Sequence, residues 1–173
     1  VQDKDLDRQI VLDRAGHFLD AHLERICNGD GQAVILEGPA GIGKTRLVTE
    51  FLDALDRNTY RLAKLQCLPS LRNTPLFLVR ELCAELFSRM PEGIVADEID
   101  AALFQELLDE KAIDGSILKG LSEHQRKQRS FALFRKLLCA ICKDRPHVVV
   151  LEDVHWIDAT SREYLEALFK HID

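Results

Sequence analysis

Eight residues constrain this chain more than any others: Gly38-Pro39-Ala40-Gly41-Ile42-Gly43-Lys44-Thr45. They complete the pattern G-x-x-x-x-G-K-[ST], and each part has a physical reason. The glycines let the backbone curl so that successive N–H groups converge on phosphate oxygens. The helix that follows presents its N-terminus, where unpaired N–H groups and the helix dipole favour an anion. Lys44 can reach the β- and γ-phosphates, and the Thr45 hydroxyl can ligate Mg²⁺. With Arg46 beside it, the run from Gly38 to Arg46 is the expected nucleotide-binding set. The flanks agree with this. Ala33-Val34-Ile35-Leu36 is a short continuous apolar run, expected to be a strand buried on both faces, and the pattern after the loop predicts a helix to about Leu55.

A helix is predicted from about Ile10 to Cys27, closed by Asn28-Gly29-Asp30-Gly31, and a second strand over Tyr60 to Gln66. Leu76 to Met90 reads as a helix broken by Pro91-Glu92-Gly93. Shorter helices with acidic faces follow between Val95 and Gly120. Ser122 is a candidate N-cap for a longer helix to about Cys142. Val148-Val149-Val150-Leu151 is the other strongly apolar strand. Asp158 is a candidate cap for a last helix from Ala159 or Thr160 to near His171. Buried strands alternating with helices predict an α/β fold: a three-layer α/β/α P-loop NTPase with a parallel sheet covered on both faces. Residues 1–173 are expected to form one domain, since that length suits one core rather than two.

Composition serves mainly to exclude. With 46% hydrophobic and 30% charged residues the chain is an ordinary globular one. No apolar run approaches the ~20 residues of a membrane span, and the polar start Val1-Gln2-Asp3-Lys4-Asp5 is no signal peptide. The absence of an initiator Met fits a segment of a longer chain or a processed one. A net charge of -6 argues against nucleic acid as a direct partner, and the basic run Arg126-Lys127-Gln128-Arg129 is expected to be a solvated helix face. Cys27, Cys67, Cys83, Cys139 and Cys142 form no disulfide framework and read as reduced, mostly buried thiols. Cys139 and Cys142 make a C-x-x-C. It lies inside the helical pattern Phe131, Phe134, Leu138, Ile141, so core packing is expected there rather than zinc or redox chemistry.

The run Val148 to Asp153 ends in two acids and has the shape of a Walker B element. A rigid strand can aim a carboxylate at magnesium held by the phosphate loop. By position Glu152 is the metal-side carboxylate, and Asp153 would orient or activate the attacking water. A register one residue later would give Asp153 the metal role, so Thr45, Glu152 and Asp153 are all candidate metal contacts. Lys44, Glu152 and Asp153 are the candidate catalytic groups. His155 and Trp156 follow directly. Trp156 is most simply a packing anchor, with a nucleotide-sensing role for the pair left open.

The phrase L-E-D-V-H-W-I-D-A-T-S, Leu151 to Ser161, resembles the extended Walker B of signal-transduction ATPases with numerous domains, on the AAA+-related P-loop branch. Such ATPase regions occur in large LuxR-type regulators and in multidomain class III adenylate/guanylate cyclases. The cyclase-linked version is the nearer likeness through Glu152-Asp153, His124 to Arg129, and Gln66-Cys67-Leu68-Pro69. The likeness runs from about Val11 onward and is weak between Pro91 and Gly120. It departs at the front, where Leu12-Asp13-Arg14-Ala15-Gly16-His17 keeps only the Arg of a G-R-x-x-E entry motif. The resemblance also implies a sensor strand between the two Walker strands, further core strands and a helical lid. The chain ends at Asp173 before these, so the sheet is expected to be incomplete at its C-terminus, or completed by another element or chain.

The resemblance implies a cytoplasmic ATP-binding switch module of a larger signalling protein, hydrolysing slowly with ATP (or ADP) and Mg²⁺ as ligands. Its other partners would be further domains of that protein, with nucleotide-dependent self-association and no direct nucleic-acid or membrane contact. ATP over GTP rests on the resemblance, as no guanine-specific N-K-x-D pattern appears. Two alternatives stand beside this. One is a small-molecule kinase with Arg126, Arg129 or Arg135 on the transferred phosphoryl group. The other is an interaction domain that holds nucleotide without turnover.

Overall fold

A computed structural model describes residues 2–27, 30–87, 93–95, 97–108, 115–143 and 145–170. The elements run α1 (Gln2–Cys27), α2 (Lys44–Ala54), β1 (Arg61–Gln66), α3 (Phe77–Leu86), α4 (Glu98–Leu108), α5 (Gly115–Leu118), α6 (Glu123–Cys142), β2 (His147–Glu152) and α7 (Ala159–Phe169). Short 3₁₀ turns lie at Pro69–Leu71 and Val154–Trp156. Described residues up to Thr59 form one compact unit, and those from Tyr60 onward a second.

The first unit holds α1 and α2, with Leu19, Leu47, Leu52 and Leu55 buried. A Cβ on Gly16 of α1 would lie 3.9 Å from the Leu47 side chain of α2, so the two helices meet where α1 has a small residue. α1 starts well before the predicted Ile10. The predicted helix end at Asn28-Gly29 lies outside the described residues.

One expectation fails in this unit. Ala33–Leu36 is not a strand: residues 30–39 carry no regular secondary structure, and Ile35 is 79% exposed. An apolar run signals a wish for burial, but a strand exists only where a neighbour completes its hydrogen-bond ladder. The sheet of the described residues contains β1 and β2 alone.

In the second unit β1 and β2 pair in parallel, from Arg61 opposite His147 to Gln66 opposite Glu152. The ladder continues one step further, where the Cys67 N–H donates to the Glu152 carbonyl (3.0 Å). This is an α/β fold with a parallel sheet. Alternation puts Leu65 and Leu151 on one face, where they pack against Cys67, Leu78, Ile157 and Leu165 from the strand ends, α3 and α7. Full burial of β2 on both faces is not observed. Val149 is exposed.

The larger core is helical. Val79, Leu82 and Cys83 of α3, Leu103, Phe104 and Leu107 of α4, Leu133, Phe134 and Leu137 of α6 and Tyr164 of α7 interlock there. The Tyr164 ring meets Phe131 and Phe134 edge-on at 4.4 and 5.5 Å, and its hydroxyl shares a 2.5 Å hydrogen bond with Ser130. Burial pushes the Tyr164 hydroxyl up to about 12 and the Cys83 thiol up to about 12, so both remain neutral inside the core. Two sequence expectations about α6 are revised. Its buried stripe is Ser130, Leu133, Phe134 and Leu137, rotated from the predicted one, which leaves Cys139 and Cys142 exposed, not buried. The basic run is also not simply solvated. Arg126 makes a bidentate pair with Glu106 (3.1 and 2.5 Å), Arg129 reaches Asp97 and Asp100, and Lys127 reaches Glu163. The acidic face of α4 was visible in the sequence, but not that it lies against α6.

The start of α6 follows its sequence signal closely. Ser122 accepts from the Gln125 N–H (3.3 Å) while Gln125 Oε1 accepts from the Ser122 N–H (2.9 Å), a complete capping box. Ser122→Ala is expected to cost about 1 kcal/mol of stability, read as a lower urea midpoint at unchanged slope. The predicted helix after Leu76 ends at Leu86. Its expected continuation over residues 88–90, and the breaker Pro91-Glu92, lie outside the described residues.

Candidate functional site

The phosphate-loop residues belong to the first unit and the acidic pair to the second, so each half is described by itself. In the loop, Gly41 (φ +77°) and Gly43 (φ 110°) take left-handed conformations that a side chain resists. The bend they make delivers the chain into α2 at Lys44. Gly43 stands at the N-cap with no side chain to occupy the first-turn N–H groups. Ile42 N–H donates to the Pro39 carbonyl (3.4 Å), closing the turn. The Lys44 ammonium folds back over the loop, donating to the carbonyls of Gly38 (2.7 Å) and Pro39 (3.0 Å). Thr45 is exposed at the first turn of the helix. The Arg46 side chain runs along α2, where its Nε donates to Glu50 (2.6 Å), which raises its pKa further.

The residues present suit a phosphate group. The donor set consists of a helix N-terminus lacking a side-chain cap, an ammonium and a hydroxyl within two consecutive residues, and a backbone curl that only glycine adopts at ease. Gly38, Pro39, Ala40 and Gly41 are all exposed, so the cradle opens to solvent.

In the second unit Glu152 ends β2, and Lys64 Nζ lies 3.2 Å from its Oε2. Asp153 comes next, in a left-handed conformation (φ 54°) that few residues other than glycine, asparagine and aspartate adopt and that turns the chain out of the strand. Its carbonyl accepts from the Trp156 N–H (2.9 Å), and its Oδ2 accepts from Gln66 Nε2 (3.0 Å). The strand end therefore presents two carboxylates, one held by each of two polar side chains of β1. Sequence reading missed both partners. Lys64 and Gln66 could have been found only by aligning the ends of β1 and β2, since they stand 87 or more residues away along the chain.

Trp156 packs against Cys67, Leu78, Ile157 and Leu165, in keeping with its reading as an anchor. The His155 ring lies 5.0 Å from it, and the Arg72 guanidinium 5.9 Å from the indole. Burial, with Asp158 and Asp153 adding to it, pushes the Cys67 thiol up, so this cysteine beside the acids stays a neutral thiol. Asp158 does more than the predicted cap of α7. Its Oδ1 accepts from the N–H of Ser161 (2.8 Å) and also of Leu76 (3.0 Å), and its Oδ2 from Leu78 N–H (3.5 Å). Ser161 Oγ accepts from Val79 N–H (3.2 Å). The start of α7 thus supplies the caps of α3, and the turn carrying Asp153 leads directly into that joint. Among the arginines considered for phosphoryl transfer, Arg126 is occupied by Glu106 and Arg129 by Asp97 and Asp100, and Arg135 is exposed on α6. Among the described residues no group of three or more His, Cys, Asp or Glu is placed to hold a metal ion by itself, and no helix is long and apolar enough to cross a membrane.

Residues 12–173 match the family described as AAA ATPase domain, which is nearly the whole chain, and the chain belongs to that family. It is also 32% identical over 181 aligned positions to the uncharacterized protein R02095 of Rhizobium meliloti (strain 1021), covering 92% of this chain. The chain spans 16% of that relative's length. No solved structure matches it.

Proposed function

We propose that this AAA ATPase domain binds Mg-ATP through Gly38–Arg46 and serves as a slowly hydrolysing switch within a larger signalling protein. The observation that carries the reading is the loop itself: two left-handed glycines deliver Lys44 and Thr45 to a helix start that has no side-chain cap. When bound, Mg-ATP supplies the electrophilic phosphoryl group and the charge of the metal. The first-turn N–H groups of α2 would hold phosphate oxygens. Lys44 would exchange the carbonyls of Gly38 and Pro39 for the β- and γ-phosphates, and Thr45 would offer its hydroxyl to Mg²⁺. Glu152 would take the metal side of the acidic pair. Asp153, outside the strand and steadied by Gln66, would accept a proton from the attacking water or orient it.

Residues 1–173 would act as one P-loop ATPase domain in the cytoplasm, with other domains of the parent protein and further copies of it as partners. The likeness of Leu151–Ser161 to signal-transduction ATPases with numerous domains, in its cyclase-linked form, supports the switch role. Holding nucleotide without turnover is the second reading, favoured by the unpaired Ala33–Leu36 run beside the loop. The two separate on phosphate release. Turnover from Mg-ATP that Asp153→Asn lowers at least tenfold, with binding retained, supports hydrolysis. Tight binding with no phosphate release by the parent chain would leave the second reading standing. ATP consumption only in the presence of a phosphate acceptor would sink both in favour of a kinase.

A further inference from the structure

Two cations have a claim on Glu152. Gln66 is its register partner on β1, and Lys64, two residues earlier, points to the same face of the sheet. Two strand residues span roughly 6.6 Å, a distance the Lys side chain covers, so the Lys64–Glu152 pair at 3.2 Å follows from the register. The pair is half-sheltered: the Glu152 side chain is 25% exposed and that of Lys64 41%. An ammonium within hydrogen-bond reach of Oε2 occupies a lone pair that a metal ion would need, and it repels the ion besides.

The geometry points to Lys64 as a resident counter-cation that holds Glu152 until Mg²⁺ displaces it, setting the Mg²⁺ concentration at which the domain loads. This inference rests on the reading of Glu152 as the metal-side acid. An ion pair of this exposure is worth about 1 kcal/mol at most, which corresponds to about fivefold in a binding constant. The domain would then stay unloaded at Mg²⁺ levels that an unopposed Glu-Asp pair would already capture.

The test is a Mg²⁺ titration of the chain at fixed excess ATP, following the melting temperature. The fluorescence of Trp156, the single tryptophan, gives a second readout close to the acids. Lys64→Met keeps the apolar stem and removes the charge, and its Mg²⁺ midpoint is expected to fall about fivefold. Lys64→Arg keeps the charge and is expected to stay near the parent value. Glu152→Gln is expected to raise the midpoint, and adding Lys64→Met to it should change nothing further. A midpoint unchanged or raised in Lys64→Met, or lowered equally in Lys64→Arg, overturns the inference while leaving Glu152 in its role. A midpoint untouched by Glu152→Gln overturns the reading of Glu152 instead. A parent chain with no Mg²⁺-dependent response overturns both.

Discussion

Lys44→Ala is expected to abolish the rise in melting temperature that excess Mg-ATP gives the parent chain, while leaving the nucleotide-free melt nearly unchanged. A ligand that binds only the folded state stabilises by RT ln(1 + [L]/Kd), about 2.7 kcal/mol at a hundredfold excess over Kd. On the proposed reading, all of that gain would come from phosphate contacts at the start of α2. The cost to the free protein is small, because the Lys44 ammonium makes its two hydrogen bonds to exposed carbonyls that water can serve equally well. The separation of the two effects makes the variant informative. A ligand shift that persists in Lys44→Ala would place the nucleotide elsewhere. A parent melt indifferent to Mg-ATP would sink nucleotide binding by this chain. A large loss of stability without ligand would show that Lys44 is holding the loop together.

Asp158→Ala is expected to be the most destabilising single change around the acidic pair, at about 3–5 kcal/mol, from the loss of a helix cap plus buried N–H groups left unpaired. Asp158 is 4% exposed, and its two oxygens serve donors at the starts of two different helices. Water cannot easily take its place. Among the described residues every buried side-chain N or O atom has a partner, so the joint has no slack to absorb the loss. Asp158→Asn keeps one acceptor oxygen, positioned for Ser161 and Leu76, and is expected to lose about half as much. Urea unfolding of the two variants checks this. Equal midpoints for both would show that the carboxylate's geometry is not what holds α3 to α7, and a midpoint near the parent's would remove Asp158 from the joint altogether.

The elements that read most clearly in the sequence are those whose signals are local. Ser122 with Gln125, and Asp158 with Ser161, cap their helices as expected because a cap involves residues three apart. The strand at His147–Glu152 was legible as a short apolar run, and that at Arg61–Gln66 as an imperfect alternation of apolar and polar residues. Misreadings came where a neighbour decides the outcome. Ala33–Leu36 has a strand's composition without a strand's partner. The face of α6 was set too near Phe131 and Ile141, so Cys139 and Cys142 were placed inward. Hydrophobic spacing says that a helix has a buried side. The angular position of that side depends on which helices pack on it, here α4 and α7.

What the sequence determined on its own is the glycine turn that leads into α2, since it needs only consecutive residues and the backbone freedom of Gly41 and Gly43. Only the tertiary structure decided the surroundings of the acids: Lys64 on Glu152, Gln66 on Asp153, and Asp158 spanning α7 and α3. Those partners lie more than 80 residues apart along the chain, and parallel pairing of β1 with β2 brings the two strand ends together. A side chain's type is local information, but the charge or donor that it faces is set by register, which no single stretch of sequence contains.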